Sequence, residues 1–177
     1  MRMMNRAVDL TQVDAPADYP SGQFPIGIVC EEDPSFPDPN VNPPLPESFG
    51  ARRWRYVKTQ DALAAGELVS LSAFAVDSGG WEGVEKAGAN ANVHRIAGIA
   101  QHAIGAGKFG WILTEGYGRV KGLTTATLNS PWKPSATAGQ VTDTVTPPTD
   151  AAICWGYETP ANDGDLVKCR VFSRHAV

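Results

Sequence analysis

From Arg52 onward, apolar and polar positions alternate over short runs, and the runs are punctuated by Gly, Asp and Asn. A period of two over four to eight residues is the pattern of a half-buried strand. Trp54, Tyr56 and Val57 open the first run, and Ala62–Glu67 turns the chain into Leu68–Val76. Further strands are expected at Val93–Ala100, Phe109–Glu115, Tyr117–Leu123, Gln140–Val145, Ala151–Tyr157 and Leu166–Phe172. Asp77–Gly83 reads as a loop on its turn chemistry, and the Asp-Gly pair within Thr159–Asp165 predicts a tight return between the last two strands. Ala97–Ala106 is open to two readings, a helical turn over a barrel end or a strand followed by a loop. No long amphipathic helix is readable. Many short strands at close spacing predict a mainly β fold, a small β-barrel or sandwich.

Residues 1–50 have a different texture. Pro16, Pro20, Pro25, Pro34, Pro37, Pro39, Pro43, Pro44 and Pro46 remove amide donors and hold their preceding residues extended. This portion is expected to be an extended proline-rich arm, with the β-domain occupying 51–177. Its apolar residues, among them Phe24, Ile26, Phe36, Leu45 and Phe49, need burial, and an extended arm can supply it by adding to the sheet edge of another polypeptide.

Within Ile96–Val120 lies Gly105-x-Gly107-x-x-Gly110, which invites a dinucleotide reading. That chemistry needs the glycines to follow a strand and open a helix, so that loop amides meet a pyrophosphate. Here Phe109, Trp111 and Leu113 follow with strand periodicity, so a turn between strands is expected and no cofactor is implied.

Charge narrows the classes. Charged residues make up 19%, the formal net charge is −4 and the pI is near 5.3, with no basic footprint for nucleic acid and no apolar run of membrane-spanning length. Arg52-Arg53-x-Arg55 reads as a solvated strand face or a site for an acidic neighbour. The first ten residues lack the apolar stretch of a secretory signal, which favours a cytoplasmic origin.

Cys30, Cys154 and Cys169 have no metal-ligand spacing and are expected as buried thiols, with Cys154 and Cys169 on neighbouring strands. His94, His102 and His175 form no catalytic or metal pattern, Asp163-Gly-Asp165 suits a turn better than calcium, and Glu31-Glu32 reads as solvated charge. No nucleophile elbow is present, so no enzyme is expected. Of five tryptophans, Trp54, Trp111 and Trp155 fall in strands and are expected in the core, whereas Trp81 and Trp132 fall in loops and are the candidates for an exposed interaction surface.

Trp54-Arg-Tyr-Val-Lys, Ala64-Ala-Gly-Glu-Leu-Val69, Ile96-Ala-Gly-Ile-Ala and Ala106-Gly-Lys-Phe-Gly-Trp-Ile-Leu-Thr-Glu-Gly116 resemble the β-rich decoration, or cement, proteins on the heads of tailed bacteriophages. Ala138-Gly-Gln-Val-Thr, Ile153-Cys-Trp-Gly-Tyr-Glu-Thr and Asp163-Gly-Asp-Leu-Val-Lys-Cys-Arg-Val171 continue that pattern in order. The resemblance implies a virion structural protein on the capsid surface, a homotrimer that braces contacts between major capsid protein subunits. The loops Asp77–Asn92 and Asn129–Thr137 fall outside the shared pattern. The competing expectation is a receptor- or glycan-binding module of a head fibre or spike, using Trp81 and Trp132.

Overall fold

In the computed structural model, residues 2–4, 26–32, 52–72, 83–143 and 152–172 are described. They form strands β1 (Arg2–Met4), β2 (Val29–Glu32), β3 (Arg52–Lys58), β4 (Leu68–Leu71), β5 (Val84–Lys86), β6 (Ile96–Ala100), β7 (Phe109–Gly122), β8 (Pro131–Pro134), β9 (Val141–Asp143), β10 (Cys154–Gly156) and β11 (Asp165–Val171), with one 3-10 turn at Val93–Arg95. The mainly β expectation holds.

Strand β7 organises the molecule. The two runs read separately at 109–115 and 117–123 are one strand of 14 residues. Its first half pairs with β3 on one side and β6 on the other, and the sheet continues through β4 to β5. Val84 of β5 then bridges back to Thr59, just past β3, so this sheet curls toward closure. The second half of β7 pairs along its length with β11, followed by β10, β8 and β9, and β9 returns to β7 at Gly122↔Val141. These five strands form a closed barrel, which leaves no free edge among them.

The change from one sheet to the other is written in β7 itself. Odd positions Phe109, Trp111 and Leu113 are buried in the first half, whereas even positions Gly116, Gly118, Val120 and Gly122 face inward in the second. Gly116 sits at the changeover with φ of 102°, a left-handed conformation that costs a glycine little and lets the inward face switch.

Two apolar clusters follow from this path. Val57, Val69, Val84, Ala97, Ala100 and Ile112 fill the curled sheet, closed by Leu63 and Ile104. Val120, Trp132, Val141, Cys154, Val167 and Cys169 belong to the barrel, and their cluster is continuous with Trp54, Tyr56, Trp111 and Leu113.

Several elements differ from expectation for identifiable reasons. Ile26–Glu32 lies within the expected arm, yet β2 pairs antiparallel with β3 inside the domain's own sheet, with β1 parallel on its far side. Pro25 and Pro34 bracket this run without interrupting it, so its amides stay free to pair. Ile28 and Cys30 are buried and Ile26 packs against the same core. Glu31-Glu32 is therefore not solvated charge: Glu32 is 2% exposed, binds Arg52 Nε at 2.9 Å and accepts from Trp54 Nε1 at 2.9 Å. Arg53 pairs with Glu31 and Glu115, so the basic run of β3 does face acidic neighbours. Within Ala97–Ala106 the strand-and-loop reading is the one observed. Strands β5 and β8 arise in segments expected as loops. In β8 the prolines occupy the first and last positions, where a lost amide donor costs least.

Candidate functional site

The outer wall of the barrel brings together residues that lie far apart in the chain. Along β11, Val167, Cys169 and Val171 point inward, while Leu166, Lys168, Arg170 and then Phe172 point out. Register aligns their neighbours. Arg170 stands opposite Tyr117 of β7 and opposite Trp155 of β10, which in turn stands opposite Pro131 of β8. One row across four strands therefore reads Pro131, Trp155, Arg170, Tyr117. In the next row the Tyr157 amide donates to the Lys168 carbonyl, and Lys168 faces Arg119.

Contacts within this face are specific. The Arg170 guanidinium lies 5.7 Å from the centre of the Tyr117 ring, within cation–π range. The Tyr117 and Tyr157 rings lie 5.5 Å apart and their hydroxyls meet at 3.4 Å. That hydroxyl contact, with partial burial adding to it, pushes the Tyr157 phenol up. Tyr157 (37% exposed), Leu166 (39%) and Phe172 (37%) leave apolar surface open to solvent.

The face is also basic, with Arg119, Lys121, Lys168 and Arg170 projecting from paired positions of β7 and β11. Two of these are tied down. Lys168 pairs with Glu158 at 2.9 Å, and Lys121 pairs with Glu67 at 3.2 Å. Burial alone would raise the Glu158 carboxyl, but the side chain and amide of Lys168 outweigh it and hold the group below its ordinary value. Arg119 and Arg170 have no ion pair among the described residues.

Elsewhere several acidic side chains are structural ties. Glu67 accepts from the Ala64 amide and from Lys86 and Lys121, which together overcome the burial effect and keep its pKa low. Asp143 accepts from the Thr127 amide and from Ser130 Oγ, Asp163 caps the Thr124 amide, and Asp165 holds the amides of Ala161 and Asn162. The Asp163–Asp165 segment is thus a turn. No group of three His, Cys, Asp or Glu capable of holding a metal ion occurs among the described residues. Gly105 and Gly107 lie in the turn from β6 to β7, where Thr59 Oγ1 donates to the Gly105 carbonyl and the Gly107 amide donates to the Thr59 carbonyl. A strand follows these glycines where a dinucleotide site would need a helix.

Trp132 is corrected. Expected in a loop and exposed, it is 0% exposed in β8, and its Nε1 donates to the Thr127 carbonyl at 3.0 Å. Polar and proline neighbours suggested a loop, but barrel closure turns its ring inward over β10. Trp155, expected in the core, is half-buried on the outer face, whereas Trp54 and Trp111 are core residues. Of the other expected contact residues, Ile26 packs on the domain's own core, while Phe24, Phe36, Leu45, Phe49 and Trp81 lie outside the described residues. All three cysteines are buried and free. Burial, with Glu32 and Glu31 nearby, pushes the Cys30 thiol up to about 11, and burial with Cys169 alongside raises Cys154. Tyr117, Tyr157 and Arg170 carry no joint signal in the sequence, because strand register alone unites them.

No protein-family model matches the chain, and no curated protein matches it. Among solved structures, the N base of head fiber gp8.5 of bacteriophage phi29 is similar, with 14% identity and a TM-score of 0.49 over 68% of this chain and 93% of that one.

Proposed function

We propose that this protein is a structural, non-enzymatic component of a phage virion that decorates and stabilises the capsid by binding across major capsid protein subunits. The sequence resemblance supplies the virion setting. One structural observation supports a binding role: Glu67, Asp143, Glu158, Asp163 and Asp165 are engaged in ties that hold loops and strands, while the barrel's outer wall carries exposed Tyr157, Leu166, Phe172 and Arg170. Aromatic residues and arginine are the types enriched in protein interfaces.

Attachment works by mass action in this reading. A protein that binds only the mature arrangement of subunits stabilises that arrangement in proportion to occupancy. Residues 1–50, apart from the two strands Arg2–Met4 and Val29–Glu32 that join the domain's own sheet, serve as the arm that reaches the shell or a neighbouring copy, and a homotrimer is the assembly the resemblance implies. Purified protein added to capsids lacking it is expected to bind and to raise their resistance to heat. Unchanged resistance without binding would refute the reading.

A glycan-binding module is the second reading, favoured by the Tyr117–Tyr157 ring pair beside Trp155. A glycan array probed with the wild type and Tyr157→Ala separates the two, since a sugar signal lost in the variant supports this alternative.

A further inference from the structure

We infer that the outer face of the barrel, centred on Arg170, Tyr117 and Tyr157, docks an acidic polypeptide surface. This deepens the reading above, from which it takes only that the partner is a protein. Charge is the first argument. A chain of net charge −4 carries Arg119, Lys121, Lys168 and Arg170 in register on two adjacent strands, so this wall opposes the sign of the whole. Arg119 and Arg170 remain without ion pairs among the described residues, whereas Lys121 and Lys168 already hold Glu67 and Glu158. The exposed Arg170 guanidinium is thereby left to receive a carboxylate, with which it forms fork-like, charge-assisted hydrogen bonds, whereas Arg119 has a buried Nε and its charge already acts on Glu158.

The second argument is the apolar rim. Leu166 and Phe172 flank the cations along β11 and stand more than a third exposed. Such side chains gain from contact with apolar groups on a polypeptide, whereas a sugar or a phosphate backbone offers them little. The Arg170 guanidinium already rests over the Tyr117 ring, 5.7 Å from its centre, which limits the side-chain entropy lost on docking. The arrangement therefore suits a protein patch that presents carboxylates beside apolar side chains.

The test uses the full chain and a fluorescein-labelled oligoglutamate peptide, followed by anisotropy at low ionic strength. Binding is expected to weaken as salt rises, to weaken by about tenfold or more in Arg170→Gln, and to weaken also in Tyr157→Ala. Arg95→Gln, an exposed cation outside this face, is expected to leave it unchanged. Arg170 and Tyr157 are exposed, so urea midpoints for both variants should match the wild type. No binding, equal loss in Arg95→Gln, or tighter binding of oligothymidylate or a neutral maltooligosaccharide through the same residues would overturn the inference. Capsid binding separates the two claims. Capsids that retain Arg170→Gln as well as wild type would refute this face and leave the decoration reading standing, while oligoglutamate binding without any capsid binding would do the reverse.

Discussion

Gly156→Ala is a change of one methyl group placed against the largest side chain in the barrel. A Cβ at this position would lie 1.8 Å from Trp132 Cζ2, 2.2 Å from Cε2 and 2.3 Å from Cη2. Carbon atoms pack best at about 3.5–4.0 Å, so the indole would have to retreat by roughly 1.5–2 Å. It has little freedom to do so. The ring is fully buried, its Nε1 is bonded to the Thr127 carbonyl, and Thr127 is itself fastened to Asp143. Overpacking in a close-packed core costs about 1–3 kcal/mol, and this geometry places Gly156→Ala near 3 kcal/mol on that scale. The assay is urea unfolding followed by far-UV circular dichroism, with Trp132→Leu and the double variant completing a cycle. Trp132→Leu removes the ring that the methyl strikes, so the double variant should be more stable than the sum of the single losses by at least about 1 kcal/mol. A Gly156→Ala variant within about 0.5 kcal/mol of wild type, or strict additivity, would refute the inward placement of Trp132.

Four other outcomes are expected. Glu32→Ala leaves Arg52 and Trp54 Nε1 without their buried acceptor and should cost about 3–5 kcal/mol in urea unfolding, the range for breaking a buried pair. Thiol titration with a chromogenic disulfide should find no fast-reacting group in the native protein and three after denaturation, because burial keeps Cys30 and Cys154 protonated. Glu67, Asp143 and Glu158 are all held below their ordinary values, so they contribute stability that is fully present above the unfolded-state values of about 4 and that is lost as pH falls through the lower folded values. Thermal midpoints should therefore be flat from about pH 6 down to pH 5 and fall below about pH 4, and midpoints unchanged to pH 3 would contradict these ties. Glu67→Gln should flatten part of that fall and lower stability at neutral pH, since both Lys86 and Lys121 lose their charged partner.

The long strands were legible because they carry several repeats of the alternation. Arg52–Lys58, Phe109–Gly122 and Asp165–Val171 each show it, and the handover at Gly116 explains why one strand read as two. Strands of three or four residues, such as β5 and β8, hold too little of the period to be told from loops. Their existence depends on partners far away in sequence, as with Lys133 of β8 opposite Thr142 of β9. Proline misled in two opposite ways. In Val29–Glu32 it flanked a strand that was read as arm, and in Pro131–Pro134 it occupied strand ends that were read as loop.

The outer face was hidden for a related reason. Tyr117, Trp155, Tyr157 and Arg170 sit in three separate stretches of chain, each looking like an ordinary outward strand position. Only the pairing of β7 with β11 and β11 with β10 places them side by side. The outward parity of Trp155 could have been read from Cys154 and Gly156 on either side, whose small size suits an inward position facing Trp132. Residue type is the weaker guide: a tryptophan in a strand predicts core and a tryptophan among prolines predicts surface, and Trp155 and Trp132 reverse the two.

The central claim, attachment to a capsid, is tested most directly by cosedimentation. Capsids lacking the protein would be mixed with the purified full chain, and the copies pelleted per capsid counted against free protein concentration. Saturation at a fixed ratio to major capsid protein subunits is the predicted result. Protein that stays in the supernatant at every concentration would contradict it.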